Sequence, residues 1–465
     1  MDRKLLYLLL ALALFGVVGW GIPTPAGLSW TGKMALACGA FAITVWVSSA
    51  VSGALSGLMI VLLLALSKAA TAAQAFSGYA NTSVWLIVIG FVMATVMDQV
   101  GLSKRIAIHL VAMAKGNSVR IYWAVALTMA VLTFLVPSIT ARTLLMLPIV
   151  LGIGESFNAE PGKSNIVKAL MYIVAMAGTA MSIGVLTAHV GNPITAGLIA
   201  SATGQVVTWS KWFTVAAPPA FTLGFIMVFI LRFLFPPEIK NIENVDAYVK
   251  AELDELGIFS KAEKYTLVVF LATLLLWSTD SYTGLSVVIV GLISVIALLF
   301  PKYGVTTWKT VEEKIPWDVF VLYGAGLSLG SVLVSSGAAK WIANTVFTPL
   351  QGFPVTMQVI LLIWVVTAMQ MLFTGGGPKA TALVPIIIAY SMSIGVDLLS
   401  FALILGMNMP HQYLLPVSNM PNAVICGTPH ITPNELMRTG LIISIVACTF
   451  MSLMVVTYWS WINVF

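Results

Sequence analysis

The sequence predicts an all-α polytopic membrane protein with about 11 transmembrane helices and two re-entrant hairpins in an inverted repeat. Its 465 residues are 59% hydrophobic and only 9% charged. The apolar residues form runs of about twenty rather than amphipathic stripes, and similar interruptions recur in the two halves of the chain. Because so much apolar backbone must satisfy its hydrogen bonds without water, membrane helices are the structure that this composition favours.

The apolar runs predict the transmembrane helices in order. The first run follows MDRK and is interpreted as a membrane helix rather than a cleaved signal, because no convincing small-residue cleavage site follows it. We therefore assign residues 1–34 to an N-terminal helix and loop. The runs lie at residues 5–22, 35–50, 53–67, 82–101, 164–187, 212–236, 265–279, 283–300, 317–335, 397–413 and 437–459.

The basic residues predict the orientation of the chain in the cell inner (plasma) membrane. With a cytoplasmic N-terminus, 17 of the lysines and arginines fall inside and four outside, which is the expected inside excess. The net charge of +6 is therefore explained by topology. It does not indicate nucleic-acid binding, because no basic run with interleaved aromatic residues occurs. Two cations, Arg142 and Lys379, remain inside apolar sequence.

These two cations lie in segments that resemble each other. PSITARTLLMLP at 137–148 and GGGPKATALVP at 375–385 each place small residues before a cation, and a proline six residues after it. Each follows an apolar stretch that is too short and interrupted to be an ordinary span. The pattern predicts two re-entrant hairpins, at about 119–150 and 355–390, whose irregular tips must line a watery cavity or be buried in protein.

A second pair of interruptions follows the hairpins. TAHVGNPITAG at 187–197 and PVSNMPNAVICG at 416–427 each break an apolar run. In our alignment, Val190-Gly191-Asn192 matches Val417-Ser418-Asn419, with a proline after each set. Broken helices at corresponding places in two halves indicate a transporter binding site.

The polar stretch at 237–263 divides the chain and is interpreted as a cytoplasmic linker. The first repeat is then 35–236 and the second 264–465. We expect the two repeats to face opposite ways, with the first hairpin opening from the cytoplasm and the second from outside.

The tips and breaks together resemble the divalent anion/sodium symporter family over nearly the whole chain. Family members carry Ser-Asn-Thr tips that contact substrate carboxylates, and the tips and neighbouring breaks form sodium sites. The resemblance places these tips at Ser138-Ile139-Thr140 and at Gly375-Gly376-Gly377. Some family members exchange carboxylates without sodium, and some of these have an arginine after the first tip, as in SITAR here. The resemblance also implies a homodimer whose substrate-bearing part slides against a fixed scaffold.

The departures from the tip motif shape the predicted site. Isoleucine replaces asparagine in the first tip, and the second tip has lost every side chain, so a fixed guanidinium or ammonium would supply the charge that sodium otherwise brings. The glycines could form a nest of N–H groups for an oxyanion or simply a tight turn. They also leave room for a larger di- or tricarboxylate rather than sulfate. The candidate substrate-binding residues are Ser138, Ile139, Thr140, Arg142, Gly191, Asn192, Gly375, Gly376, Gly377, Lys379, Thr381, Ser418 and Asn419; no catalytic residue, metal or cofactor is predicted.

The predicted function is sodium-independent exchange of small carboxylates of the succinate, malate, citrate, tartrate or 2-oxoglutarate type. The alternative is a sodium-coupled dicarboxylate or sulfate symporter of the same fold. A cation/proton antiporter would require buried carboxylates at mid-membrane, and an enzyme would require a metal cluster or an acid/base pair. The four histidines are too scattered for the latter. His189 and His411 flank the breaks, where structural hydrogen bonding, pH sensing and substrate contact all remain open.

Overall fold

A computed structural model describes residues 2–242 and 244–464, and helices account for its regular structure. Over these residues, the extended backbone pairs at one isolated bridge, between Asn117 and Asn241. Ten helices in this part of the chain are long and apolar enough to cross a membrane, and Gly53–Leu66 and Val287–Leu299 are shorter apolar helices. The predicted all-α polytopic class is confirmed.

Among the described residues, twelve α-helices precede the linker. A π-helical turn, Val17–Gly21, extends the first helix, and another, Ile173–Ala177, joins the ninth to the tenth. The helices are α1 Arg3–Gly16, α2 Trp30–Ser48, α3 Gly53–Leu66, α4 Ala72–Phe76, α5 Thr82–Gln99, α6 Leu102–Ala112, α7 Ser118–Leu135, α8 Ile139–Glu155, α9 Asn165–Tyr172, α10 Gly178–Ser182, α11 Gly191–Thr203 and α12 Trp209–Leu234.

The second half follows a short linker helix, α13, at Val245–Leu256. Short 3₁₀ turns lie at Met369–Leu372, before the second tip, and at Pro416–Ser418, in the second break. The helices are α14 Lys261–Ser278, α15 Asp280–Thr283, α16 Val287–Leu299, α17 Trp308–Glu312, α18 Trp317–Ser335, α19 Ala338–Val346, α20 Val355–Ala368, α21 Gly376–Ile394, α22 Leu398–Met407, α23 Met420–Cys426, α24 Pro433–Val456 and α25 Tyr458–Trp461.

Capping side chains determine where several of these helices begin. The Asn117 side chain accepts a hydrogen bond from the Arg120 amide at 3.0 Å and starts the first hairpin. At α24, Thr432 and Glu435 cap each other reciprocally. Such caps satisfy backbone N–H groups that a helix leaves free in its first turn.

The linker helix is fastened to the short helix α6 by two basic side chains. The Arg105 Nε atom lies 2.5 Å from Glu263 Oε1, and the same guanidinium donates to the carbonyl of Leu256 at 2.9 Å. The Lys104 Nζ atom lies 2.7 Å from Glu252. Hydrogen bonding to Glu252 raises the pKa of Lys104. The polar linker is thus held against the first half of the protein.

Helix α18 carries a row of glycines that allows close packing. A Cβ atom at Gly326 would lie 2.6 Å from Thr381 Cγ2, and one at Gly330 would lie 2.6 Å from Leu198 Cδ2. These glycines let α21 and α11 approach the α18 backbone, as small residues do between membrane helices. The second hairpin and the first broken helix therefore both pack on α18.

Candidate functional site

The first hairpin places the tip Val136-Pro137-Ser138 between α7 and α8. The Ser138 hydroxyl caps α8 by accepting a hydrogen bond from the Ala141 amide at 3.2 Å. The Ile139 side chain approaches Gly178, and both Ile139 and Thr140 line the cavity described below. The tip therefore presents hydroxyl groups and the N-terminal end of a half-helix.

The second hairpin places its glycines where α20 and the following 3₁₀ turn meet α21. Helix α21 begins at Gly376 and runs through Pro385 to Ile394, just as α8 runs through Pro148. The Thr381 hydroxyl donates to the carbonyl of Gly377 at 3.1 Å and does not face the cavity. The free N–H groups at the start of α21 are the polar groups that the glycines themselves contribute.

Two buried asparagines hold the two breaks in matching ways. The Asn192 side-chain amide donates to the carbonyls of Ser182 and Val185 at 3.0 and 2.9 Å. The Asn422 amide donates to those of Gln412 and Leu415, both at 3.1 Å. The sequence offsets are the same in both cases, so the structural partner of Asn192 is Asn422.

The predicted match of Asn192 with Asn419 is therefore wrong by three residues. Asn419 instead donates to the Thr179 hydroxyl at 3.2 Å and joins the second break to α10. The alignment failed because the proline follows Asn192 in one half but precedes Asn422 in the other. Of the neighbouring predicted residues, Ser418 bonds its own turn through the Leu415 carbonyl, and Gly191 packs against the carbonyl of Gly376.

A cavity of about 900 Å³ connects both tips with both breaks. Seven predicted residues line it, whereas Arg142, Gly191, Asn192, Lys379, Thr381 and Ser418 lie behind its wall. The wall also includes residues that the sequence analysis did not select, Tyr323 and Thr374 among them. The seven predicted lining residues are Ser138, Ile139, Thr140, Gly375, Gly376, Gly377 and Asn419.

The cavity extends from the tips toward the linker. Lys104, Glu252, Lys314 and Asp318 line its outer part. Tyr248 of the linker helix also lines it, and the Tyr248 ring packs on Gly152 of α8. The tips are therefore reached from the side of the protein on which the linker lies.

Arg142 is fully buried directly behind the first tip. Its guanidinium donates to the Thr133 hydroxyl and, at 2.9 Å, to the carbonyl of Ala188 in the first break. Its Nε–H has no hydrogen-bond partner in the described part of the chain. Arg142 therefore links α7 and the first break, through the Thr133 hydroxyl and the Ala188 carbonyl.

Lys379 occupies the corresponding position behind the second tip. It is also fully buried, and its Nζ atom has no hydrogen-bond partner among residues 2–242 and 244–464. His411 is an electrostatic neighbour of Lys379, and its Nδ1 atom lies 2.8 Å from the Tyr413 hydroxyl. The sequence predicted a cation here, and the structure places it one helical turn behind the glycines.

The extra room expected at the second tip is absent, because other side chains fill it. A Cβ atom at Gly376 would lie 2.7 Å from the His189 ring, and one at Gly377 would overlap the Tyr323 ring. The premise of free room is therefore not met at these two glycines, and the expectation of a larger substrate stays a prediction. Sequence analysis could not detect the filling, because both aromatic rings come from distant segments of the chain.

The described residues contain no group of three or more His, Cys, Asp or Glu side chains that could hold a metal ion. The oxygen-rich surroundings of the tips are formed instead by hydroxyl and carbonyl groups. Such groups suit anion recognition through N–H and O–H donors, or binding of a hard monovalent cation at the breaks.

Comparison with known proteins gives a family match over nearly the whole chain. The family described as sodium:sulfate symporter transmembrane region matches residues 2–465. A membrane protein of Cupriavidus necator is 32% identical, with 95% of this chain and 90% of that protein covered. A sodium-dependent dicarboxylate transporter, SdcS, of Staphylococcus saprophyticus is 26% identical, with 93% and 87% covered.

A solved structure supports the fold independently. The YdaH transporter of Alcanivorax borkumensis, described as having an unusual topology, aligns with a TM-score of 0.60. The alignment covers 99% of this chain and 98% of that chain at 14% sequence identity. At this identity the likeness concerns the fold alone.

Proposed function

The chain belongs to the divalent anion/sodium symporter family, and from this membership we propose that it exchanges small dicarboxylate anions across the inner membrane without sodium. The proposal assigns the substrate to the cavity between the two tips. It also assumes a cytoplasmic N-terminus and linker and, by the family resemblance, a homodimer. Membership makes the chain a membrane transporter rather than an enzyme.

The contacts of Arg142 are the observation that most supports sodium-independent exchange. Its guanidinium takes a hydroxyl oxygen and the Ala188 carbonyl oxygen as partners, between the first tip and the first break. Hydroxyls and unwound carbonyls at a broken helix are also the groups that coordinate a coupling sodium ion in transporters. A permanent guanidinium there supplies the positive charge at any sodium concentration.

Lys379 adds a second fixed charge at the opposite tip. Burying an unpaired cation at membrane depth costs roughly 2.5 to 3.5 kcal/mol on insertion scales. An anion in the cavity, close to the start of α21, would offset part of this cost. The two cations together favour a substrate with two negative groups, one near each tip.

The half-helices support an anionic substrate as well. Both α8 and α21 begin at the cavity, and their first N–H groups have no partners within the helix. Helix N-termini favour negative charge. The Ser138 and Thr140 hydroxyls lie at the first of these ends. Among anions, a dicarboxylate fits two separated sites better than sulfate does.

A sodium-coupled symporter is the second candidate, and one observation favours it. The SdcS relatives, at 26% identity over most of their length, are named sodium-dependent dicarboxylate transporters. For a sodium-coupled symporter, Arg142 and Lys379 would have a structural role, and sodium would bind at other carbonyls of the breaks.

Proteoliposome uptake tests exchange directly. We expect labelled succinate to enter vesicles preloaded with malate or succinate and to enter empty vesicles poorly, because the fixed cations leave an empty carrier electrostatically unbalanced. Protein-free vesicles and vesicles loaded with an uncharged solute are the controls. Equal uptake with and without preloading would contradict the exchange mechanism.

A further inference from the structure

The second tip lacks side chains, yet two polar side chains from elsewhere occupy the space beside it. His189 belongs to the first break, and Tyr323 belongs to α18. Both line the cavity, with 6% and 9% of their surfaces exposed. The glycines at 376 and 377 are what allow these rings to approach.

The hydrogen bonding of His189 defines which ring nitrogen is available. Its Nδ1 atom accepts a hydrogen bond from the Gly191 amide at 3.0 Å. A neutral ring therefore carries its proton on Nε2. That nitrogen would lie 3.4 Å from a Cβ atom at Gly376, and His189 lines the cavity there. An N–H donor thus stands at the cavity side of the tip.

Tyr323 supplies a second donor on the other side of the same tip. Its hydroxyl lies where the side chain of residue 377 would begin, which is why a Cβ atom there would overlap the ring. Tyr323 lines the cavity, so its hydroxyl can meet a ligand bound there. A phenolic O–H in this position can donate to an anion.

We propose that His189 and Tyr323 bind one carboxylate of the substrate at the second tip, replacing the side chains that the glycines lack. The inference rests on the proposed function and makes it more specific. The first tip contacts one carboxylate with its own hydroxyls, whereas the second contacts the other with donors from the first break and from α18.

This arrangement makes the two residues specificity determinants. A Tyr323 hydroxyl on α18 and an imidazole on the first break fix the far end of the substrate, so the length between carboxylates decides the fit. We expect succinate and malate to bind more tightly than citrate or sulfate. Tyr323 lies outside the hairpin, so substrate contact also depends on the hairpin remaining packed on α18.

The Tyr323→Phe variant tests the hydroxyl without disturbing the packing at Gly377. Because a hydrogen bond to a charged group is lost, we expect succinate to bind roughly 10-fold more weakly or worse, with the melting temperature of the ligand-free protein unchanged. Tyr390→Phe is the matched control. The Tyr390 hydroxyl is buried and donates to Gln358 at 2.7 Å, so its loss should leave succinate affinity unchanged.

A pair of substitutions tests whether the Tyr323 hydroxyl takes the place of a side chain at residue 377 of the second tip. Gly377→Ser alone should abolish binding because it overlaps Tyr323, and Tyr323→Ala alone should weaken binding. In the double variant, Gly377→Ser returns a hydroxyl to the tip and Tyr323→Ala removes the ring that this side chain would overlap. The double variant should therefore bind succinate better than either single variant. Binding is measured by calorimetry with succinate, malate, citrate and sulfate.

The outcomes separate this inference from the function on which it rests. Wild-type affinity in Tyr323→Phe, or no gain in the double variant, would overturn the inference and leave dicarboxylate exchange intact. A wild-type protein that binds none of the four anions would overturn the proposed function and this inference together.

Discussion

Lys379 is a buried ammonium without an oxygen partner in the described structure, and this makes it the residue whose substitution has the most distinctive expected result. Lys379→Met removes an uncompensated charge and keeps a similar length. We expect the ligand-free variant to be at least as stable as the wild type, because the insertion cost of roughly 2.5 to 3.5 kcal/mol disappears. We also expect succinate no longer to raise its melting temperature. Thermal unfolding with and without succinate measures both effects.

Lys33→Met is the control for this substitution. Lys33 is also buried, but its ammonium donates to the carbonyl of Ile22 at 2.5 Å, far from the tips in sequence. We expect that variant to lose stability and to keep its stabilisation by succinate. Full stabilisation of Lys379→Met by succinate would leave Lys379 without a role in binding.

At the level of single residues, the sequence indicated functional residues where a charged side chain lies in apolar sequence. A cation in apolar sequence is costly, so Arg142 and Lys379 could be selected without a structure. Their burial behind the tips, rather than in the cavity wall, depends on the direction in which α8 and α21 present their side chains. The contacts of His189 and Tyr323 with the glycines depend on tertiary packing, and no local pattern indicates them.

At the level of elements, Asn192 and Asn422 should act as equivalent structural residues. Each side-chain amide satisfies two carbonyls at a break, and both side chains are fully buried. Asn192→Ala and Asn422→Ala should therefore each lower the free energy of unfolding by roughly 1 to 3 kcal/mol, because buried carbonyls lose their donor. Thermal unfolding of the ligand-free protein checks this expectation.

Asn419→Ala provides the comparison, because Asn419 lines the cavity and makes one bond, to Thr179. We expect a smaller loss of stability and a larger loss of succinate affinity than for Asn422→Ala. The opposite order would contradict the structural role of Asn422 and the substrate contact of Asn419. The breaks themselves were predictable because Gly, Asn and Pro interrupt an apolar run, whereas their register depends on hydrogen bonds that the sequence does not display.

At the level of the whole molecule, one cavity reaches both tips from the linker side. The second tip is meanwhile closed against α18 by the Tyr323 ring at Gly377. With a cytoplasmic linker, this arrangement is an inward-facing state. The apolar runs predicted the helices well because membrane spans are set by length and composition. The shared cavity could not be predicted, since it depends on how the hairpins and breaks pack together.

Sodium dependence tests the central claim most directly. The measurement is the initial rate of labelled succinate entry into malate-loaded proteoliposomes, with sodium replaced by choline at constant ionic strength on both sides. Because Arg142 and Lys379 supply the positive charge at the tips, the account predicts equal rates in the two salts. A rate that rises steeply with sodium and vanishes in choline would contradict it.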